Sequence, residues 1–365
     1  MSFIPSRSRE RLRIILAITA KDLLEAIKNK NTLAAILPVL FMILVYRYLP
    51  MMENRDEPPN VLVADQTEST FGLLMQDSPY LNVYLFPSIE RMKLSVRDGD
   101  RPEMGLILPE NIDDLLASGS QLTLKGFTVH WVTEDQAQEL EFTVEEELSV
   151  LAGRKVEIEV DGESIYPEFD SSGRSSLMSI GLTFSVVMLG ISFLPHLMLE
   201  EKLNQTLDAL MVSPASGWEL VLGKALVGLV YSMLVGVIGL AIYGPLVTQW
   251  VPAPLIYFSG SLFMISIGLF LGTVLENRQQ LMLWSWVVLI PLLLPIFLVK
   301  MRGFIPDTAI LMMRWIPSVG LSRSVSVAAM QAVSISDYIR ELLVLVLGSI
   351  PIYGLVAWIL RRRQR

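Results

Sequence analysis

Cysteine is absent from the 365 residues, and histidine occurs only twice, at His130 and His196. No disulfide can staple the fold, and too few soft ligands remain for a zinc site or a Cys/His nucleophile pair. Formal charge is scarce as well: 18% of residues are charged and 52% are hydrophobic, whereas a soluble domain carries about 25% charged residues. That balance excludes an ordinary soluble enzyme. A nucleotide loop is also missing. Gly217 to Lys224 only superficially suggests one, because five residues separate the glycines, Ala225 replaces the magnesium-binding Ser/Thr, and no strand precedes it. The chain is therefore expected to have no catalytic residues, no metal and no directly bound cofactor, with any ATP used by another polypeptide.

What the chain has instead is long apolar runs. A helix needs about 20 predominantly apolar residues to cross a bilayer, and six segments meet that requirement: 32–52, 177–199, 220–247, 255–275, 281–299 and 339–360. Gly244-Pro245 should end or kink the third, and Pro291 and Pro295 argue against a straight fifth. Arg47 and Lys224, near helix ends, are expected to snorkel their charges to the interface.

The formal charge of −8 conceals two materials. Residues 53–176 hold 9 Lys+Arg and 26 Asp+Glu, a net −17, and the remainder holds 20 and 11, a net +9. Basic residues cluster before the first span, from Arg7 to Lys30, and after the last, in a 361–365 tail. The positive-inside rule then places both termini in the cytoplasm of a multi-pass protein of the plasma (inner) membrane. Residues 1–31 read as an amphipathic interfacial helix, with Leu12, Ile15, Leu16, Leu23 and Ile27 at helical spacing and a basic face for anionic lipid. Lys300, Arg302, Arg314 and Arg323 fit this topology poorly, since they fall in the outer loop 300–338.

The acidic block has ordinary soluble composition and the length of one small domain. Asn60 to Ala64, Leu81 to Phe86, Met104 to Leu108, Phe127 to Val132 and Lys155 to Val160 read as strands, and Ser69 to Gln76, Glu110 to Ala117 and Glu134 to Leu151 as helices. The fold class expected is an α-helical polytopic membrane protein of six transmembrane helices, with an extracytoplasmic α/β (or α+β) domain inserted between the first two. The run Glu145-Glu146-Glu147 reads as a solvated helix face.

Between the second and third spans, cytoplasmic residues 200–219 form an amphipathic helix carrying Leu203, Leu207, Leu210 and Met211, a turn at Ser213-Pro214, and a new start at Ser216 capped by Glu219. The run Glu201-Lys202, Thr206-Leu207, Ala209-Leu210, Val212-Ser213-Pro214, Trp218-Glu219 and Leu222-Gly223-Lys224 resembles the signature of ABC-2 type permeases. These are the membrane subunits of ATP-binding-cassette exporters. Lys21-Asp22-Leu23 resembles the N-terminal helix of that family, and Met104 to Glu110 with Leu115 to Gly119 resembles the external domain of its sodium-export and multidrug-export branch. Leu203-Asn204-Gln205 stand where members usually carry Arg and Gly.

The resemblance implies an exporter permease paired with a second copy or paralogue in the lipid membrane, and with two ABC ATPase subunits. Glu201, Thr206, Leu207, Leu210, Met211, Val212, Ser213 and Pro214 would couple to the ATPase. Gly236, Gly239, Gly268 and Gly272 would allow close helix approach. Residues 300–338 would dip back as short re-entrant helices, placing Pro306, Arg314, Pro317 and Arg323 at an outer gate. No nucleic-acid partner is expected. The competing function is a sensor or envelope-assembly subunit, whose external domain binds a ligand or protein without transport.

Overall fold

A computed structural model describes residues 7–28, 30–52, 57–119, 121–160, 164–169, 171–205, 216–300 and 305–363. Two helices open the chain, α1 (Arg7–Lys28) and α2 (Lys30–Met52). An α/β layer follows and interrupts the helical part. In it lie β1 (Asn60–Ala64), α3 (Thr70–Gln76), β2 (Asn82–Phe86), α4 (Ile89–Arg97), β3 (Met104–Ile107), α5 (Ile112–Ser118), β4 (Leu122–Thr128), α6 (Glu134–Ala152) and β5 (Val156–Val160).

The five strands form one sheet in the order β2-β1-β3-β4-β5, parallel except for the β3/β4 pair. Side chains alternate along each strand. Val61, Val63, Leu106, Leu124 and Ile158 bury one face beneath Phe71, Leu140, Val144 and Leu148 of the helices. Local caps set the helix starts: Ser69 Oγ accepts from Gly72 N and Ser88 Oγ from Arg91 N, while Thr133 and Gln136 form a reciprocal capping box.

Two elements depart from the sequence expectation. The fourth strand lies at Leu122–Thr128 and not over Phe127 to Val132, because Leu122 and Leu124 supply its core face. Phe127, Val129 and Trp131 are buried in the same apolar cluster as the long helices. The apolar density there records a junction between layers. Helix α4 is additional. Its Met92 and Val96 are buried, but Glu90, Arg91, Lys93 and Arg97 around them obscure the pattern.

Five helices among the described residues are long and apolar enough to cross a membrane: Gly173–Leu203, Gly217–Ile242, Pro252–Val274, Arg278–Lys300 and Ile339–Arg362. Helix α2 carries a shorter apolar stretch, Ile36–Tyr48, and packs against the first of them. That first helix comprises α7 (Gly173–Met188), a π turn (Leu189–Phe193) and α8 (Leu194–Leu203). The others are α9 (Gly217–Ile242), α10 (Pro252–Val274), α11 (Arg278–Lys300) and α14 (Ile339–Arg363), with the short α12 (Asp307–Met313) and α13 (Pro317–Ser326) before the last. Helix α11 runs through Pro291 and Pro295 as one helix. Helix α9 ends at Ile242, just before a single 3-10 turn at Gly244–Leu246. Arg47 does not simply snorkel, since its Nε donates to the Ile242 carbonyl at that end.

The four glycines singled out by sequence each face another helix of the same chain. A Cβ on Gly236 would stand 2.5 Å from Tyr257, on Gly239 2.8 Å from Leu182, and on Gly272 2.7 Å from Met198. On Gly268 it would overlap the Gly190 carbonyl within the π turn. The extra residue of that turn pushes the α7–α8 backbone outward, and only a bare backbone on α10 accommodates it.

The α/β layer is fastened to one end of the bundle. Gly173 takes a φ of 70° where a Cβ would strike the Asp98 carbonyl. Arg174, 3% exposed, lies 4.5 Å over the Trp131 ring. His130 stacks on Tyr166 with ring centroids 5.0 Å apart, and its Nε2 donates to the Leu246 carbonyl at 3.3 Å. Burial, outweighing the Leu246 and Ile165 carbonyls, holds the His130 pKa below the ordinary histidine value.

Two outcomes follow from this packing. Gly268→Ala should destabilise the purified chain by about 1–3 kcal/mol or more, whereas Gly354→Ala, which meets open space, should leave its melting temperature unchanged. Because the folded His130 pKa is depressed, its contribution is complete above about pH 6.5 and is lost as pH falls. His130→Gln should therefore flatten the acid side of a melting-temperature profile.

Candidate functional site

Among the described residues, the end of the bundle away from the α/β layer holds a dense cluster of buried charge. The Lys224 side chain on α9 is 1% exposed, and its Nζ pairs with Glu201 of α8 and, at 3.1 Å, with Asp22 of α1. Lys21 closes the group at 3.6 Å from Asp22, 4.0 Å from Glu201 and 3.3 Å from Glu25. The expectation that Lys224 snorkels is thus corrected: three helices converge on its ammonium, and it pairs inside the protein. Carboxylate oxygens of Asp22, Glu25 and Glu201 lie within 4.8 Å of one another, as in a cation site. Here the Lys224 and Lys21 ammonium groups supply the positive charge.

Local sequence explains how the helices come so close. Gly223 precedes Lys224, and a Cβ there would stand 2.8 Å from Ile18 Cγ2 of α1. The bare backbone lets α1 approach until Thr19 Oγ1 lies 3.1 Å from the Gly223 carbonyl. Tyr231, two turns further along α9, donates to the Leu23 carbonyl at 3.1 Å. Lys202 donates to the Thr273 and Leu275 carbonyls, the latter at 2.8 Å, and so satisfies the C-terminus of α10. At the start of α9, Ser216 N donates to Glu219 Oε2 at 2.7 Å, and Arg11 of α1 lies 3.7 Å from the same carboxylate.

The Glu201, Lys202, Ser216 and Glu219 contacts flank the segment between α8 and α9. Thr206, Leu207, Leu210, Met211, Val212, Ser213 and Pro214 lie outside the described residues. Their two flanks are fixed: Glu201 and Lys202 on entry, Ser216, Glu219 and Lys224 on exit. Glu201 itself is 6% exposed, so its carboxylate faces the interior and not a docking surface. Gln205, the last described residue before the segment, has a φ of 59°, a conformation that favours glycine.

Helix α1 also reads differently in three dimensions. Ile18, Asp22 and Ala26 are buried against the bundle, whereas Leu12, Leu16 and Leu24 are exposed. Sequence patterning supplied the helix but not the charged member of its buried face. The available signals were Asp22 in register with Ile15, Ile18 and Ala26, and one lysine in the apolar run of α9.

Among the described residues, two of the cavities away from this cluster hold residues singled out by sequence. One of about 390 Å3 opens beside the π turn, lined by Ala34, Ser192, His196, Glu200, Arg278 and Met282 among others; His196 Nδ1 donates to the Ser192 carbonyl at 2.5 Å. The other, near the α/β layer, includes Arg314, Pro317 and Arg323, while Pro306 caps the start of α12.

Removing one partner of a buried ion cluster leaves an unpaired charge and costs about 3–5 kcal/mol. Lys224→Met alone should therefore lower thermal stability by that order. Lys224→Met combined with Asp22→Asn and Glu201→Gln should recover most of the loss, measured by thermal unfolding of the purified chain. Equal stability of the single and triple variants would contradict this account.

Comparison with curated proteins finds no match. The sequence profile of the ABC-2 family transporter proteins matches residues 32–359, nearly the whole chain and both halves of the ion cluster beyond α1. The protein is a multi-pass membrane protein belonging to the ABC-2 family of transporter proteins.

Proposed function

We propose that the chain is the permease subunit of an ABC exporter, moving substrate outward by alternating access driven by a separate ATPase subunit. The observation that carries this reading is the Lys224 cluster. It ties α1, α8 and α9 together at the two flanks of residues 206–215. A push on that segment from a cytoplasmic ATPase would reach the long helices as one rigid displacement, because buried charges resist separation.

In this reading six helices span the membrane, α2 being the first. Both termini are cytoplasmic, and the acidic α/β domain lies outside. Exposed Leu12, Leu16 and Leu24 of α1 rest on the inner leaflet. The apolar surfaces of α2 and α11, with Leu37, Phe41, Trp286 and Ile290 exposed, face lipid or a second permease copy. Helix α13, whose Ser318 donates to the Leu292 carbonyl, packs among the spans as a re-entrant element. Thr206, Leu207, Leu210, Met211, Val212, Ser213 and Pro214 make the ATPase contact, and Glu201 acts behind them through Lys224.

Reconstitution with a partner ABC ATPase subunit tests the proposal. ATP hydrolysis should be stimulated by a transported compound, and that compound should leave the inner compartment. Leu210→Asp should abolish the stimulation while the permease stays folded. Hydrolysis that responds to an external protein with nothing moved would replace the exporter by a sensor or assembly subunit.

A further inference from the structure

Two of the basic residues that fit the charge rule poorly, Arg314 and Arg323, line one cavity. Among the described residues, a pocket of about 300 Å3 lies between α12, α13 and the first turns of α14, at the end of the bundle that carries the α/β layer. Arg314, Arg323 and Arg340 line it together with Trp315, and Glu341 is its one carboxylate. No acidic group among the described residues ion-pairs with Arg323 or Arg340. Both instead lie over aromatic faces, Arg323 4.8 Å from the Phe169 centroid and Arg340 5.4 Å from that of Trp315. Stacking engages the face of a guanidinium and leaves its in-plane N–H groups to donate. One of these, Nε of Arg323, is buried without a hydrogen-bond partner.

The walls of the pocket are apolar, and its lower edge continues as a surface. Leu311, Val319, Val344 and Leu345 are among the residues that line it. Below it Leu343, Leu347 and Ile350 project from α14 at helical spacing, each about half exposed. Trp315, 79% exposed, stands at the rim, where an interfacial aromatic would mark headgroup depth. A cluster of guanidiniums above an apolar stripe on a membrane helix complements an anionic amphiphile, with its negative head and apolar tail.

We infer that this pocket binds the phosphate-bearing headgroup of an anionic lipid in the leaflet on the α/β-domain side, with an acyl chain along Leu343, Leu347 and Ile350. The guanidinium forks donate to phosphate oxygens as charge-assisted pairs. The carboxylate of Glu341 weakens binding and sets its strength. The site accounts for Arg323 and Arg340 on this side of the membrane, because lipid supplies the anionic partner of their guanidiniums. The inference needs the chain to span a bilayer and does not depend on the direction of transport.

The test uses the full-length chain in detergent, without an ATPase, titrated with phosphatidylglycerol, phosphatidylcholine or inorganic phosphate, and occupancy read by native mass spectrometry. The wild-type chain should prefer phosphatidylglycerol over phosphatidylcholine by about ten-fold or more, as expected for charge-assisted contacts. R323Q with R340Q should abolish the preference, and E341Q should increase it. An undiminished preference in the double variant overturns the proposal. So does displacement of phosphatidylglycerol by equimolar inorganic phosphate, which would make this a soluble-anion site. Should the double variant fail to fold, R340Q alone decides, because that side chain is exposed; a preference unchanged in R340Q likewise overturns the assignment.

Discussion

A buried ammonium group governs this architecture. Lys224 could be placed within the packed end of a helical bundle only if carboxylates met it there, since an unpaired charge costs several kcal/mol away from water. Asp22 and Glu201 meet that demand from two different helices. The N-terminal helix is thereby held on the bundle by more than apolar contact, and the ends of α8 and α9 are held relative to each other. Gly223 makes the approach sterically possible, and Lys202 closes the neighbouring helix terminus. The short motifs Lys-Asp, Glu-Lys and Leu-Gly-Lys, far apart in the chain, become one object.

The two ends of the bundle use charge in opposite ways. At the ion cluster, cations and carboxylates are buried and neutralise each other inside the protein. At the end carrying the α/β layer, Arg174, Arg323 and Arg340 rest on aromatic rings. A ring offers a partner for charge without adding a compensating negative group. The first arrangement suits a joint that transmits force, because separating its members is costly. The second leaves in-plane N–H groups of Arg323 and Arg340 free of acidic partners among the described residues. Between them the helices pack through glycine contacts and a π turn, so the bundle is most tightly interlocked where α8 crosses α10.

Much of the fold could be read from the chain. The apolar runs marked α7 to α11 and α14 because lipid-compatible helices need length and little else, and alternation with caps marked most of the α/β layer. Failures have a common cause. Phe127 to Val132 looked like a strand because it is apolar, but its burial serves the junction with the bundle. Helix α4 was obscured because only Met92 and Val96 are buried on it. Lys224 looked like a snorkelling residue because its partners are about 200 and 20 residues away, the separations of the two bonds it makes.

Sequence by itself determined the material of each segment: which parts suit hydrocarbon, which suit water, and where charge of each sign accumulates. Those properties are sums over neighbours in the chain, so one dimension suffices. The family signature was likewise written in consecutive residues. Only the tertiary structure decided which charges are partners, which glycines admit a neighbouring backbone, and which arginines share a cavity. Each of these depends on distances between residues remote in sequence, and ionic and steric energies act over a few ångströms of space irrespective of position along the chain.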